Sequence, residues 1–270
     1  MTNKNTVLVG CGNMGYAMLQ GWLASGKLQP SDVTIIEPAD TLRERAAKLG
    51  VTTVKSSAEI SDAPRLVIIA VKPQVIQDIL PDYKPYAASA TFLSVAAGTP
   101  VALFEQILGN QSAVIRCMPN TPAAIGKGMM VTFANNNVQP DMVHFTEDLL
   151  ATSGQVAQVS DESLMDAVTA VSGSGPAYIF HFIECLTQAG ITAGLPQDIA
   201  GMLAMQTVYG AGALAAASTD TPSQLRINVT SPNGTTAAAL DVLMGDNRLQ
   251  NLLTEAVEAA RKRSVELGKS

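Results

Sequence analysis

Short apolar segments that alternate with helical segments dominate the first half of the chain. Residues 66–71 form an uninterrupted apolar run between Pro64 and Pro73. A strand that is apolar at every position must be covered on both faces. Other predicted strands lie at 7–10, 33–37, 91–97, 114–118 and 129–134, separated by predicted helices at 13–25, 41–49, 100–108 and 140–151. This alternation predicts an α/β fold with a parallel doubly wound sheet.

The pattern becomes purely helical after Val159. Apolar periodicity and interrupting glycines predict helices at 161–170, 176–193, 197–218, 234–244 and 247–267, with no further strand. We therefore predict two domains, an α/β domain over residues 1–160 and an all-helical domain over residues 161–270.

Composition and charge exclude several classes of protein. The net charge is −6 and the one basic run is the short 261–263 segment, which argues against nucleic-acid binding. Cys11, Cys117 and Cys185 are far apart and odd in number, so we expect neither a disulfide framework nor a metal site. With a polar stretch at residues 1–6 in place of a signal peptide, these features predict a cytoplasmic protein.

Residues 199–219 carry no charge and are long enough to cross a bilayer. However, Gln206, Thr207 and Gly210 keep the segment only mildly apolar. We interpret it as a buried helix at the core of the subunit, which packs closely against other small-residue helices, and we predict no membrane partner.

A glycine-rich turn follows the first predicted strand directly. Gly10, Gly12 and Gly15 match the GxGxxG pattern at the start of a helix. In such a turn the N–H groups of Asn13 and Met14 face a pyrophosphate at the positive end of the helix. The segment therefore predicts a dinucleotide site, the alternative being a structural turn without a ligand.

Three further positions are candidates for cofactor contacts. Glu37 ends the second strand, where an acidic residue accepts hydrogen bonds from the adenosine ribose. Val71 and Lys72 end the long buried strand, and Lys72 could reach a phosphate or ribose unless it is an ordinary solvated lysine. Ala97 ends the next strand, and its small side chain leaves room for a nicotinamide.

Two loops of special composition interrupt the helical half. Residues 172–178, Ser-Gly-Ser-Gly-Pro-Ala-Tyr, form a turn and helix start, and residues 231–236, Ser-Pro-Asn-Gly-Thr-Thr, open another helix. The free N–H groups and two hydroxyls of the second loop suit a carboxylate ligand. A purely structural cap and turn is the alternative.

Five segments together resemble one enzyme family. They are the glycine turn, Ala70–Pro73, Arg116–Pro122, the 172–178 loop, and the Leu225–Thr236 segment with Ala239, Leu240 and Leu243 after it. These five segments occur in the same order as in pyrroline-5-carboxylate reductases, and the chain resembles that family over residues 6–267. The resemblance implies a Rossmann-type domain, a helical dimerisation domain that interlocks with its partner, and reduction of L-1-pyrroline-5-carboxylate to L-proline by NADPH or NADH.

The resemblance also implies a substrate pocket formed by Glu162, Asn228, Gly234, Thr235 and Thr236. By that resemblance, the backbone at Thr235 and Thr236 holds the substrate carboxylate, and the Thr236 hydroxyl faces the ring nitrogen as the catalytic group. The chain departs from the family at Asn233, where glycine is common. Asn tolerates the left-handed conformation, so we expect the turn to be preserved.

Two other functions remain open. A β-hydroxyacid dehydrogenase has a similar two-domain layout, but it needs a base, and those enzymes resemble one another in placing a lysine on a helix of the second domain. This chain has no lysine between Lys127 and Lys262, and neither His144 nor His181 lies in a motif. A protonated imine needs no such base, so imine reduction is favoured. The other alternative is a non-catalytic dimer that senses a dinucleotide.

The choice of cofactor separates this chain from the family it resembles. The family commonly uses NADPH, whereas the charge of Glu37 would repel a 2′-phosphate. Lys72 and Arg43 could offset that repulsion. We predict that the protein uses both NADH and NADPH, and that Glu37 narrows or reverses the family's preference for NADPH. We further predict a homodimer and leave a higher assembly of dimers open.

Overall fold

The computed structural model describes residues 5–268, and its first half is built on one eight-stranded sheet. The strands are β1 (Thr6–Val9), β2 (Val33–Ile36), β3 (Thr52–Val54), β4 (Leu66–Ile69), β5 (Thr91–Ser94), β6 (Ala113–Met118), β7 (Gly128–Ala134) and β8 (Gly154–Gln158). Their order is β3-β2-β1-β4-β5-β6-β7-β8. The first strand, β1, thus lies inside the sheet; β2 and β3 extend the sheet to one edge, and β4 to β8 extend it to the other.

Eleven α-helices accompany the sheet in the described residues. They are α1 (Asn13–Ala24), α2 (Asp40–Ala47), α3 (Pro73–Ile79), α4 (Val101–Leu108), α5 (Pro140–Leu150), α6 (Met165–Val168), α7 (Gly175–Thr192), α8 (Gln197–Ala217), α9 (Pro222–Asn228), α10 (Thr235–Met244) and α11 (Arg248–Leu267). The segment Thr169–Gly173 between α6 and α7 is π-helical. The predicted helical character of the second half is therefore confirmed.

The sheet is mixed, which corrects the prediction that it is wholly parallel. β6 and β7 pair antiparallel, with Ile115 opposite Ala134 and Met118 opposite Val131, while the other neighbouring pairs are parallel. The 119–127 connection holds only a short turn of 3-10 helix and no long helix that could carry the chain back across the sheet. β7 therefore returns beside β6 in the opposite direction. β8 then pairs parallel with β7 after the crossover helix α5.

Apolar side chains alternate between two buried layers on the faces of the sheet. Leu8, Ile68 and Leu93 pack with Trp22 on one face. Val67, Ile69 and Phe92 belong to the layer on the other face, against helices that include α4. Because successive strand residues point to opposite faces, both layers draw on the same uninterrupted apolar runs.

Several elements were not predicted from the sequence. These are the edge strands β3 and β8 and the short helices α3 and α9. β3 has three residues and β8 is only half covered, so neither shows a clear apolar period. α9 does carry a usable signal, since Thr221 accepts a hydrogen bond from the Gln224 N–H and Pro222 follows in the first turn.

Within the described residues the chain forms two compact units. One runs to Ser174 and resumes at Ala260, and the other is Gly175–Ala259. This division falls after residue 174, later in the chain than the predicted division at residue 160. The reason is that α6 packs on the sheet unit: it contacts β7, and Met165 and Ala170 are buried. The end of α11 also belongs to the first unit, where the Ser264 hydroxyl donates to Asp166 at 2.6 Å.

The second unit leaves much of its apolar surface uncovered by its own chain. α7 and α8 pack tightly where a Cβ built on Gly190 would lie 3.3 Å from the Cβ of Ala200. On α8, however, only Ala200 and Ala204 are buried, while Met202 and Tyr209 are more than half exposed. α8 is also the one described helix whose length and composition would allow it to cross a membrane. α8 was predicted to be buried, but most of its side chains are not buried within the single chain.

Candidate active site

The glycine turn joins β1 to α1 in the predicted way. Gly10 has a φ of 88°, and a Cβ there would lie 2.8 Å from the Ala70 carbonyl oxygen. A Cβ on Gly15 would collide with the Gly10 carbonyl oxygen, so both positions bring backbone close to backbone. In contrast, a Cβ built on Gly12 meets no heavy atom within 4 Å. The turn is thus open at Gly12, where the backbone is expected to approach the ligand.

The start of α1 provides unpaired donors at this opening. Gly12 is the N-cap residue and supplies no side-chain acceptor, and the first helical turn contains no acidic residue. The first N–H groups of a helix lack intrahelical acceptors and carry the positive end of the helix dipole. The N–H groups of Asn13 and Met14 therefore suit a pyrophosphate, which fits the dinucleotide expected there.

Glu37 lies one residue beyond β2 and is 6% exposed. Its Oε2 accepts a hydrogen bond from the Cys11 N–H at 2.8 Å, and its Oε1 accepts one from the Ala39 N–H at 3.0 Å. The Gly10 N–H donates to the Ile36 carbonyl at 2.9 Å. The carboxylate is thus fixed against the glycine turn.

Two arginines on α2 bond the backbone near Glu37 and the glycine turn. Arg43 Nη1 donates to the carbonyl oxygens of Glu37 (2.9 Å) and Pro38 (3.1 Å), while Nη2 pairs with Asp40. That pairing lowers the pKa of Asp40 below its usual value. Arg45 Nη2 donates to the Cys11 carbonyl at 2.8 Å. Arg43, which the sequence offered as a partner for a 2′-phosphate, is already engaged with the protein.

Arg45 was missed in the sequence analysis. Its guanidinium stacks on the Tyr16 ring, with 4.0 Å between the guanidinium carbon and the ring centroid, in addition to its bond with Cys11. It also lies 3.4 Å from the Gly12 carbonyl oxygen. No motif surrounds Arg45 in the sequence, and its partners are about 30 positions away, so its contact with the glycine turn depends on the tertiary fold.

A cavity of about 270 Å³ lies at the carboxyl ends of β1, β4, β5 and β6. Its lining residues are Met14, Ala70, Val71, Val95, Met118, Pro119, Asn120, Thr121 and Gly173. Ligands of doubly wound sheets bind beyond the carboxyl ends of the strands. The cavity therefore brings the predicted Met14 and Val71 together with residues from the 116–122 and 172–178 motifs.

Asn120 connects these two motifs. Its Oδ1 accepts a hydrogen bond from the Met129 N–H at 2.9 Å, and its Nδ2 lies 3.3 Å from the Ser172 carbonyl oxygen. The side chain thereby joins the start of β7 to the π-helical segment. Asn120 lies within the Arg116–Pro122 motif, and the sequence pattern alone does not indicate this bridging role.

β4 and β5 end earlier than predicted, so Lys72 and Ala97 lie three residues beyond them, and neither lines the cavity. Lys72 is exposed and occupies the N-cap position of α3, without a side-chain capping bond. Ala97 is half-buried. Their cofactor contacts stay predictions.

Glu162 is tied to the sheet by a buried arginine. Its Oε1 accepts hydrogen bonds from Arg116 Nη1 at 2.5 Å and from the Val101 N–H, the first of α4, at 2.8 Å. Arg116 lies on β6 and is 8% exposed. Glu162 thus links β6 to the start of α4, a contact that sequence reasoning did not foresee.

The remaining predicted substrate residues lie in the second unit. Asn233 has a φ of 58°, so the expected left-handed turn is confirmed. Gly234 caps α10, and Thr235 and Thr236 begin it, with no side-chain cap on the first N–H groups. Asn228 ends α9, where its Oδ1 accepts from Gln224 at 2.8 Å and its Nδ2 lies 3.3 Å from Asp220. The start of α10 therefore has the open donors that a carboxylate requires.

Both buried cysteines are free thiols. Burial raises the pKa of the Cys11 thiol to about 11, an effect that Arg45 opposes and Glu37 strengthens. Burial also raises the pKa of Cys117. Since thiolates are the reactive form, these side chains act as small apolar fillers.

Comparisons with known proteins agree with this architecture. A family model described as NADP oxidoreductase coenzyme F420-dependent matches residues 5–98, and one described as pyrroline-5-carboxylate reductase dimerisation matches residues 162–267. The chain is 37% identical over 272 residues to the pyrroline-5-carboxylate reductase of Pseudomonas aeruginosa, covering 99% of this chain and 98% of the relative.

Solved structures show the same likeness. A pyrroline-5-carboxylate reductase from Coxiella burnetii is 34% identical, covers 100% of both chains and superposes with a TM-score of 0.94. A pyrroline carboxylate reductase from Plasmodium falciparum with NADP bound is 29% identical, covers 99% of both chains and has a TM-score of 0.83. With near-complete coverage and a matching dimerisation domain, this chain belongs to the pyrroline-5-carboxylate reductase family.

Proposed function

We propose that the protein reduces L-1-pyrroline-5-carboxylate to L-proline with a hydride from NADH or NADPH, the last step of proline biosynthesis. The observation that carries this is the match to pyrroline-5-carboxylate reductases over 99% of the chain. The open glycine turn and the cavity at the strand ends are consistent with it, since both lie where a dinucleotide binds in this fold.

The chemistry suits the side chains available. A cyclic imine that already carries a proton on nitrogen needs only a hydride at carbon to become the amine, whereas oxidation of an alcohol needs a base. The helical half has no lysine between Lys127 and Lys262. Orientation of the two reactants, which can contribute roughly 7–11 kcal/mol, then supplies most of the acceleration.

We assign the cofactor to the first unit. Gly10, Gly12 and Gly15 shape the turn, and the N–H groups of Asn13 and Met14 hold the pyrophosphate. The nicotinamide, when bound, supplies the hydride. Its expected neighbours beyond the strand ends are Val71, Lys72 and Ala97, with Glu37 at the adenosine ribose.

We assign the substrate carboxylate to the N–H groups of Thr235 and Thr236 after Gly234, and the ring nitrogen to the Thr236 hydroxyl. Asn228 and Glu162 complete the proposed pocket. Since Glu162 already bonds Arg116 and Val101 through one oxygen, it contributes as a fixed acceptor rather than a mobile one.

The proposal extends to the assembly and its location. A homodimer formed through residues 161–270 would cover the exposed apolar surface of α7, α8 and α11. We place the enzyme in the cytoplasm, without membrane or nucleic-acid partners. An assembly of several such dimers is compatible with this arrangement. Residues 1–160 and 161–270 would then be the functional domains.

The direct test follows nicotinamide absorbance with purified enzyme and three substrates: the imine, a β-hydroxyacid and proline. Oxidation of NADH or NADPH that depends on the imine, with proline as product, supports the proposal. Turnover of a β-hydroxyacid and not of the imine would replace it with the dehydrogenase alternative. Cofactor binding without turnover of any of these substrates would instead indicate a dinucleotide sensor.

A further inference from the structure

We infer that Glu37 makes this enzyme select NADH over NADPH, and that it does so because the carboxylate cannot leave its place beside the glycine turn. The inference rests on the proposed function only in that the dinucleotide binds across this turn. It goes beyond the proposed function because that function allows either NADH or NADPH.

Glu37 is held on both sides. Each carboxylate oxygen accepts one backbone N–H, from Cys11 at 2.8 Å and from Ala39 at 3.0 Å, and the residue is almost fully buried. Moving the side chain aside would leave two N–H groups and a buried carboxylate without partners. The negative charge is therefore a permanent feature of the turn.

The pinned carboxylate discriminates between the two riboses by hydrogen-bond chemistry. A carboxylate has about four acceptor positions, so the two N–H bonds leave capacity for ribose hydroxyls. A 2′-phosphate replaces one hydroxyl donor with acceptor oxygens and negative charge. It would thus lose the bond and meet a like charge in a poorly solvated place.

The two arginines on α2 already donate hydrogen bonds within the protein. Arg43 directs one nitrogen at the Glu37 and Pro38 carbonyl oxygens and the other at Asp40. Arg45 directs Nη2 at the Cys11 carbonyl oxygen and stacks on an aromatic ring of α1. A 2′-phosphate that bound Arg43 or Nη2 of Arg45 would have to displace these bonds, and Nε of Arg45, which has no hydrogen-bond partner among the described residues, is buried. Asp40 adds a second negative charge at the start of α2.

The experiment measures cofactor affinity without substrate. NADH and NADPH are titrated into the full-length enzyme by their fluorescence, and adenosine 2′,5′-bisphosphate is compared with 5′-AMP by thermal shift, because these fragments report only the ribose end. The variants are Glu37→Ser and Glu37→Gln, with Glu44→Gln as a matched control for loss of one exposed acidic charge on α2.

We expect the wild type to bind NADH at least about tenfold more tightly than NADPH. Glu37→Ser should bring the ratio of the two affinities to one or below, Glu37→Gln should reduce it, and Glu44→Gln should leave it unchanged. Equal wild-type affinities, or a ratio unaffected in both Glu37 variants, would overturn the inference. If one Glu37 variant does not fold, the wild-type ratio and the other variant decide. Failure of the wild type to bind either cofactor would count against the proposed function itself.

Discussion

Among single residues, Thr236 carries the most specific chemical assignment. It occupies the second position of α10, where the first N–H groups have no intrahelical acceptor and no side-chain cap. A carboxylate and a ring nitrogen bound at this helix start would contact both its backbone and its hydroxyl. The residue can therefore be tested separately from the proposed cofactor site, whose residues belong to the other unit.

We predict that Thr236→Ala lowers kcat far more than cofactor affinity. A lost hydrogen bond to a charged group costs about 1.5–3 kcal/mol, which corresponds to roughly a ten- to hundredfold loss of rate. Steady-state kinetics and cofactor titration measure the two effects. Thr236→Ser, which keeps the hydroxyl, should retain most of the rate. Wild-type efficiency in the alanine variant would make Thr236 a structural cap.

Cys11 predicts a pH dependence of stability. Burial raises its pKa from 9.0 to about 11, so between these values the unfolded chain loses the thiol proton while the folded chain keeps it. The unfolded state then binds fewer protons, and the free energy of unfolding falls as the pH rises. Urea titrations from about pH 8 to about pH 11 should show this fall, and Cys11→Ala should make it shallower. Equal slopes in the two proteins would exclude the contribution.

At the level of elements, three segments distant in sequence meet at Glu162. β6 contributes Arg116, α4 contributes its first N–H through Val101, and the short turn after β8 contributes the carboxylate. The first turn of α4 has no acidic residue of its own, so Glu162 supplies the negative group that a helix start favours. This contact fixes the end of the loop between β5 and α4, which includes Ala97.

We predict that Arg116→Met destabilises the fold by about 2 kcal/mol, less than for a fully buried pair because the Glu162 side chain is 28% exposed. Glu162→Gln should cost less, since its amide oxygen still accepts the Val101 N–H. Urea unfolding of the two single variants and the double variant measures the coupling. Additive losses would show that the two side chains do not stabilise each other.

For the whole molecule, the exposed apolar surface of the second unit is the dominant feature. Large side chains on α7, α8, α10 and α11 are exposed, including Phe180, Met202, Tyr209, Val242 and Leu252. A monomer rarely leaves this many large apolar side chains open to water. The dimerisation domain of the family matches this same part of the chain.

We predict that the enzyme is an obligate homodimer and that Tyr209→Glu dissociates it with loss of activity. Tyr209 is 69% exposed in the single chain and would be covered by the partner subunit. Sedimentation at micromolar concentration and the imine assay measure both effects. Val75→Glu, an equivalent change at an exposed apolar residue of the sheet unit, should leave the dimer intact. An active wild-type monomer at that concentration would contradict the prediction.

Local sequence determined a large part of this protein. The apolar runs specify the central strands, and the glycine turn specifies the β1–α1 connection. Glu37 follows β2 directly because the apolar run stops at Ile36. Asn233 likewise adopts the left-handed conformation that its side chain tolerates. Such features depend on residues close together in the chain, so their patterns are visible without a structure.

Tertiary structure alone decided the rest. The antiparallel entry of β7, the bond between Arg116 and Glu162 across 46 positions, and the two N–H groups that hold Glu37 all depend on which segments become neighbours. No local period encodes such pairing, since it follows from the register of strands and the packing of helices over them. For the same reason, the sequence placed an acidic residue at the proposed ribose site, but only the fold showed that two backbone N–H groups hold it there.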